Sequence, residues 1–140
     1  MGDPFAPTSY YTAYPNRLGA VYCRISPSLA QPRWSESKIV AFGGQAGTDA
    51  FSAECPFVVE WKSGEYYLFR TQRYGRNAKT SVYFSRDPLN FGVNQDLPFF
   101  VTTLPVAAPE IVRQGETYFI AALRPDLKGI QLARLEWRAK

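Results

Sequence analysis

The sequence predicts an all-β protein, and three observations carry that reading. Helical periodicity is hard to find anywhere along the chain. Short runs of β-branched and aromatic residues recur instead, cut by Gly, Pro, Asn and Asp at intervals of roughly ten residues. Tyr-rich runs also return at a near-constant distance: Tyr10 to Tyr66 is 56 residues and Tyr66 to Tyr118 is 52.

The runs are read in order. Ser9-Tyr10-Tyr11-Thr12-Ala13 places a strand at 9–14, and Ala20-Val21-Tyr22-Cys23-Arg24 places one at 20–25. The second leads into a corner at Ser26-Pro27-Ser28-Leu29, and 28–35 reads as an irregular turn. A strand at 38–42 follows. Gly43-Gly44 and Gly47 then read as a flexible connection; no Gly-Lys-Ser/Thr follows them, so they make no phosphate loop. Strands at 57–61 and 65–72 flank a hairpin turn at Gly64-Glu65. The strand at 80–85 runs into Asp87-Pro88-Leu89-Asn90, the counterpart of the earlier corner, with a short turn at 89–92. Strands at 99–103, 110–113, 117–123 and 129–137 complete the set, the hairpin at Gly115-Glu116 repeating that at Gly64-Glu65.

Composition excludes several classes of chemistry. The chain of 140 residues is 46% hydrophobic and 20% charged, which is enough apolar surface for one folded domain. It has no histidine, which removes Ser-His-Asp and Cys-His catalysis and His-ligated zinc. Cys23 and Cys55 form no Cys-x-x-Cys pair; they could form one bridge but are expected as free thiols in a reducing compartment. No metal and no cofactor are expected. The net charge of +4 is scattered rather than clustered, so no nucleic-acid partner is expected. No apolar run approaches the ~20 residues of a membrane span, and no basic-then-apolar leader is visible, so no membrane partner is expected and the chain is expected to be cytoplasmic or given without its secretory signal.

A period near 50 with four short strands per unit is the mark of a β-propeller blade of four antiparallel strands. The single partial propeller domain, 1–140, divides into blades at about 5–52, 53–105 and 106–140. The first has room for its second to fourth strands only, the middle for all four and the last for three. That is about two and a half blades. An open stack leaves bare faces, and a homodimer would complete a five-bladed ring.

Ser52-Ala53-Glu54-Cys55-Pro56-Phe57, at the head of the complete blade, and Gly2-Asp3-Pro4 about fifty residues earlier carry a resemblance. The stretches 65–74 and 80–91 and the run Ala107-Ala108-Pro109-Glu110-Ile111 share it. The chain resembles the five-bladed β-propeller glycosidases of the fructosidase-like family 32 and the arabinanase/xylosidase-like family 43. In that group a Glu-Cys-Pro motif carries the general acid and an Arg-Asp-Pro motif a transition-state-stabilising Asp. The resemblance therefore implies that Glu54 is the acid and Asp3 the stabilising carboxylate, although Gly2 stands where the family has arginine. No residue matches the family's nucleophile or base, and hydrolysis normally needs two facing carboxylates.

The same resemblance implies a carbohydrate-facing central pocket for an oligosaccharide. Arg70, Gln72 and Arg73 follow an apolar strand and would lie near the propeller axis, bonding sugar hydroxyls or bridging to Glu54 or Glu110. Glu110 heads the last blade much as Glu54 heads the middle one. Trp34 and Tyr74 would stack on sugar rings or pack between blades, whereas Trp61 and Trp137 read as packing. Two functions follow: a glycosidase-like protein, weakly active or inactive as a single chain, or a non-catalytic carbohydrate-binding or protein-interaction module.

Overall fold

The structure, a computed structural model, describes residues 6–138. It is all-β: ten strands form three antiparallel sheets, none of them closed. The first sheet joins β1 (Thr8–Ala13), β2 (Ala20–Ile25) and β3 (Lys38–Phe42). The second joins β4 (Glu54–Lys62), β5 (Glu65–Arg73), β6 (Lys79–Ser85) and β7 (Phe100–Leu104). The third joins β8 (Ala107–Gln114), β9 (Thr117–Leu123) and β10 (Ile130–Leu135). Every strand pairs with its neighbour in sequence, so each sheet is a meander. No described helix is long and apolar enough to cross a membrane.

All ten expected strands are present. Those at 20–25, 38–42 and 117–123 have the expected bounds, while β4 and β8 each start three residues earlier than read. The β1–β2 and β5–β6 connections are alike: each is a single 3-10 turn, closed by Leu18 N–H to Pro15 O and by Ala78 N–H to Gly75 O, both at 3.1 Å. β1 is thus the counterpart of β5. The first sheet begins one strand later in the pattern than the second, and the third lacks a described counterpart of β7.

The sheets stack in chain order, with β1 beside β4 and β4 beside β8. The alternation of side chains along a strand gives the middle sheet two buried faces. Leu68 and Tyr83 join Val21, Cys23, Val40 and Phe91 in the core between the first and second sheets. Their neighbours Phe69 and Val82 point the other way, to Ile111, Tyr118 and Ile120 of the third. Each fully buried side chain of this size contributes about 1.5–3 kcal/mol. Trp61 and Trp137 stack in the second core with ring centroids 5.5 Å apart.

Buried hydroxyls tie the layers together. Ala108 N–H donates to Thr71 Oγ1 at 3.0 Å, Thr71 and Thr80 share a 2.9 Å hydroxyl contact, and Thr80 Oγ1 donates to Val106 O at 2.7 Å. Tyr10 Oη donates to Pro88 O at 2.8 Å across the other interface. Among the described residues no further sheet covers the outward faces of the end sheets. On the third, Val112, Ile130 and Leu132 are 52%, 72% and 74% exposed. On the first, Tyr11 and Tyr22 stack with centroids 5.7 Å apart.

Candidate functional site

Glu54 opens β4 opposite Thr71, and the next matched pair is Phe57 with Phe69. Two residues, Cys55 and Pro56, therefore stand against one, Arg70, which is a β-bulge. Cys55 takes a φ of 43°, a region non-glycine residues seldom enter. Pro56 has no N–H to lose from the ladder, so the bulge is where a strand accepts it. The third sheet repeats the device: Ala107 pairs Leu123, Glu110 pairs Ala121, and Ala108 before Pro109 has a φ of 49°.

This register sets the counterparts. The position that Glu54 holds in β4 is held in β8 by Ala107, and the counterpart of Glu110 is Phe57. Glu110 is exposed, and the alternation with Ile111 puts it on the face turned away from the second sheet.

Tyr74 follows β5, and its Oη lies 3.2 Å from Cys55 Sγ. Burial, then the Cys55 contact and the Glu54 charge, push the Tyr74 phenol well above its usual range, so it stays protonated. Glu54, Cys55 and Tyr74 thus gather at one end of the second sheet. Thr12 Oγ1 donates to Ala53 O, which holds the residue before Glu54 against β1. The Glu54 carboxylate, half-buried, makes no hydrogen bond or ion pair among the described residues.

The other expected contacts fall elsewhere. Arg70 is fully buried on the face toward the first sheet. Its Nε donates to Ser52 O at 2.8 Å, Nη1 to Gly43 O at 3.3 Å and Nη2 to Gly47 O at 3.2 Å. Burial lowers the guanidinium pKa, and nearby Tyr83 and Asp96 pull it back up. Arg70 forms no described ion pair with Glu54 or Glu110; its partners are Ser52 and the carbonyls of the Gly43–Gly47 connection. That connection is accordingly pinned. Asp96, also buried, accepts from Gln45 N–H with both oxygens at 3.0 Å and from Tyr83 Oη at 3.0 Å.

Gln72 donates from Nε2 to Arg70 O at 2.7 Å and accepts from Ser81 Oγ at 3.0 Å. Arg73, exposed, ends β5 opposite Lys79. Trp34, 41% exposed, lies in the β2–β3 connection at the Thr8–Ile25 end of the first sheet. Ala53 meets the other end, at Thr12, so Trp34 and Glu54 are at opposite ends of the stack. Asp3 lies outside the described residues.

Sequence reading expected Cys55 as a free thiol, which it is, but did not foresee its contact with Tyr74, and it did not single out Asp96. The bulge at Cys55 had a signal, the residue-proline step at the head of both β4 and β8. Asp96 had none, since it sits in an ordinary polar loop. A cleft of about 520 Å³ beside Trp61, Lys62, Arg113 and Trp137 lies at the far end of β4 from Glu54. No group of three or more Cys, Asp or Glu side chains among the described residues converges to hold a metal ion.

No protein-family model matches the sequence, and no curated protein matches it. The chemistry of the Glu54 end therefore rests on its own geometry. It offers one carboxyl free of structural bonds, a protonated phenol and an exposed thiol. That set can donate a proton or hydrogen bonds to a polar ligand and present an aromatic edge to it.

Proposed function

We propose that the three sheets are blades of a glycosidase-like β-propeller and that the Glu54 end of its inner strands faces carbohydrate. One observation carries this reading. The bulge that positions Glu54 is built again at Ala107 without an acid, so the backbone does not require the carboxyl. Glu54 is also free of described structural partners. In this reading Glu54 is the proton donor to a glycosidic oxygen, and Tyr74 supplies a hydrogen bond and a surface for the sugar.

A single chain of this kind binds sugar and turns it over weakly or not at all. Hydrolysis needs a second carboxylate across the bond, and Asp3 and a second chain are its two sources. The ring is completed by a homodimer. About two and a half blades per chain give the five-bladed ring expected from the sequence; because the chain forms three separate sheets, we propose six for a two-chain ring in its place.

The second reading, a non-catalytic carbohydrate-binding or protein-interaction module, is favoured by Arg70 and Gln72. Both spend their polar atoms inside the fold. Titration with arabino-, xylo- and fructo-oligosaccharides, together with nitrophenyl glycoside assays, separates the two. Turnover that Glu54→Gln abolishes while binding persists supports the acid. Binding without turnover supports the module, and absence of both overturns the carbohydrate reading.

A further inference from the structure

The stack has a direction. Counted from the matching 3-10 turns, the fourth cross-strand pair is Tyr10 with Cys23 in the first sheet and Phe69 with Val82 in the second. Tyr10 and Cys23 face the second sheet, and Phe69 and Val82 face the third. Each sheet thus turns the same positions forward, onto the backward face of the next. In the third sheet the residue matching Phe69, directly after the bulge, is Ala121, and its partner is Leu132.

That forward face carries exposed hydrophobic residues, Leu132 at 74%, Ile130 at 72% and Val112 at 52%, with Glu110 in the same row as Leu132 and Arg134 in the same row as Val112. On the backward face of the first sheet Ile39 is 37% exposed and Tyr11 and Tyr22 are half-buried among the described residues. Tyr11, Tyr22 and Ile39 form one row across its three strands. The two open faces are therefore of the two kinds that the chain already joins twice within itself.

We propose that a second copy of this chain covers the Leu132 face with the Tyr11–Tyr22 face of its own first sheet. The inference rests on the propeller reading and names the contact that closes the ring. A twofold axis then uses both open faces of both chains, a head-to-tail contact that closes. An apolar ligand or a third-sheet-to-third-sheet contact would leave the Tyr11–Tyr22 row uncovered.

The test is solution mass by light scattering, with circular dichroism as the check on folding. Wild type should run at twice the 15.8 kDa chain mass. Leu132→Glu and Tyr22→Glu should each run as single chains with unchanged dichroism, the dimer weakened at least 100-fold; Leu132→Gln is a milder substitute. An equimolar mixture of the two variants should reassociate, because one of the two contacts then joins two unaltered faces. Wild-type dimers that survive both substitutions overturn the assigned faces and leave the two-chain ring standing. A mixture that stays dissociated overturns the head-to-tail pairing. Single-chain wild type overturns the second copy altogether, whereas the carbohydrate reading is decided separately by the sugar titrations.

Discussion

Cys55 and Ala108 occupy the same place in two different sheets. Each is the left-handed residue of a bulge, each precedes a proline, and their φ values are 43° and 49°. A Cβ in this region costs about 1–2 kcal/mol, and glycine escapes that cost while losing some unfolded-chain entropy. Ala108→Gly is therefore expected to leave stability unchanged or raise it by up to about 1 kcal/mol, and Ala108→Val to lower it by more than 1 kcal/mol. Urea denaturation decides. A glycine variant clearly less stable than wild type contradicts the backbone assignment.

Arg70 holds the Gly43–Gly47 connection from beneath. Arg70→Met leaves the Ser52, Gly43 and Gly47 carbonyls without their donor, and a loss of about 3–5 kcal/mol is expected. Arg70→Lys should recover only part, since an ammonium lacks the planar fork. A variant that melts like wild type but binds sugar poorly would return Arg70 to the binding site.

Gly44 lies against Asp96. Its φ is 66°, and an added Cβ would come within 2.3–2.6 Å of the Asp96 carboxylate atoms. Gly44→Ala should cost more than 2 kcal/mol, of which about 1 kcal/mol is backbone strain. In an Asp96→Ala background only the strain should remain. A double-mutant cycle with no coupling between the two positions would falsify this contact.

Alkaline pH should unfold the protein through its buried phenols. Burial, with the Asp96 charge, raises Tyr83 from 10.0 to about 12 against the opposing pull of Arg70. Burial raises Tyr10 further. A raised phenol keeps its proton in the folded state after the unfolded chain has lost it. Its stabilisation is complete below pH 10 and fades as pH climbs toward 12, about 2 kcal/mol for Tyr83 alone. Absorbance titration near 295 nm should show these phenols ionising late and together with loss of dichroism. Early, independent ionisation would contradict their burial.

The strands were legible because their alternation and turn residues are local. The starts of β4 and β8 were not, because Pro56 and Pro109 read as strand breakers and the bulge that admits them appears only with the ladder. Arg70 illustrates a different limit. Its place after Leu68 and Phe69 marked it as unusual, but its partner Gly43 is 27 residues away, and sequence offers no measure of that approach. Glu54 was found through its motif, and its link to Tyr74 through Cys55 was not. Glu110 was matched to Glu54 by proximity to a strand start, whereas the register aligns Ala107 instead.

The buried threonine contacts also bear on how the molecule opens. The Ala108 amide hydrogen is anchored in Thr71, whose hydroxyl is anchored in Thr80, whose hydroxyl is anchored in Val106. One end of that chain enters β8 and the middle belongs to β5 and β6. The entry to the third sheet therefore releases its amide to solvent only by parting from Thr71 of the second sheet. Exchange of the Ala108 amide is therefore expected to report on opening between the second and third sheets.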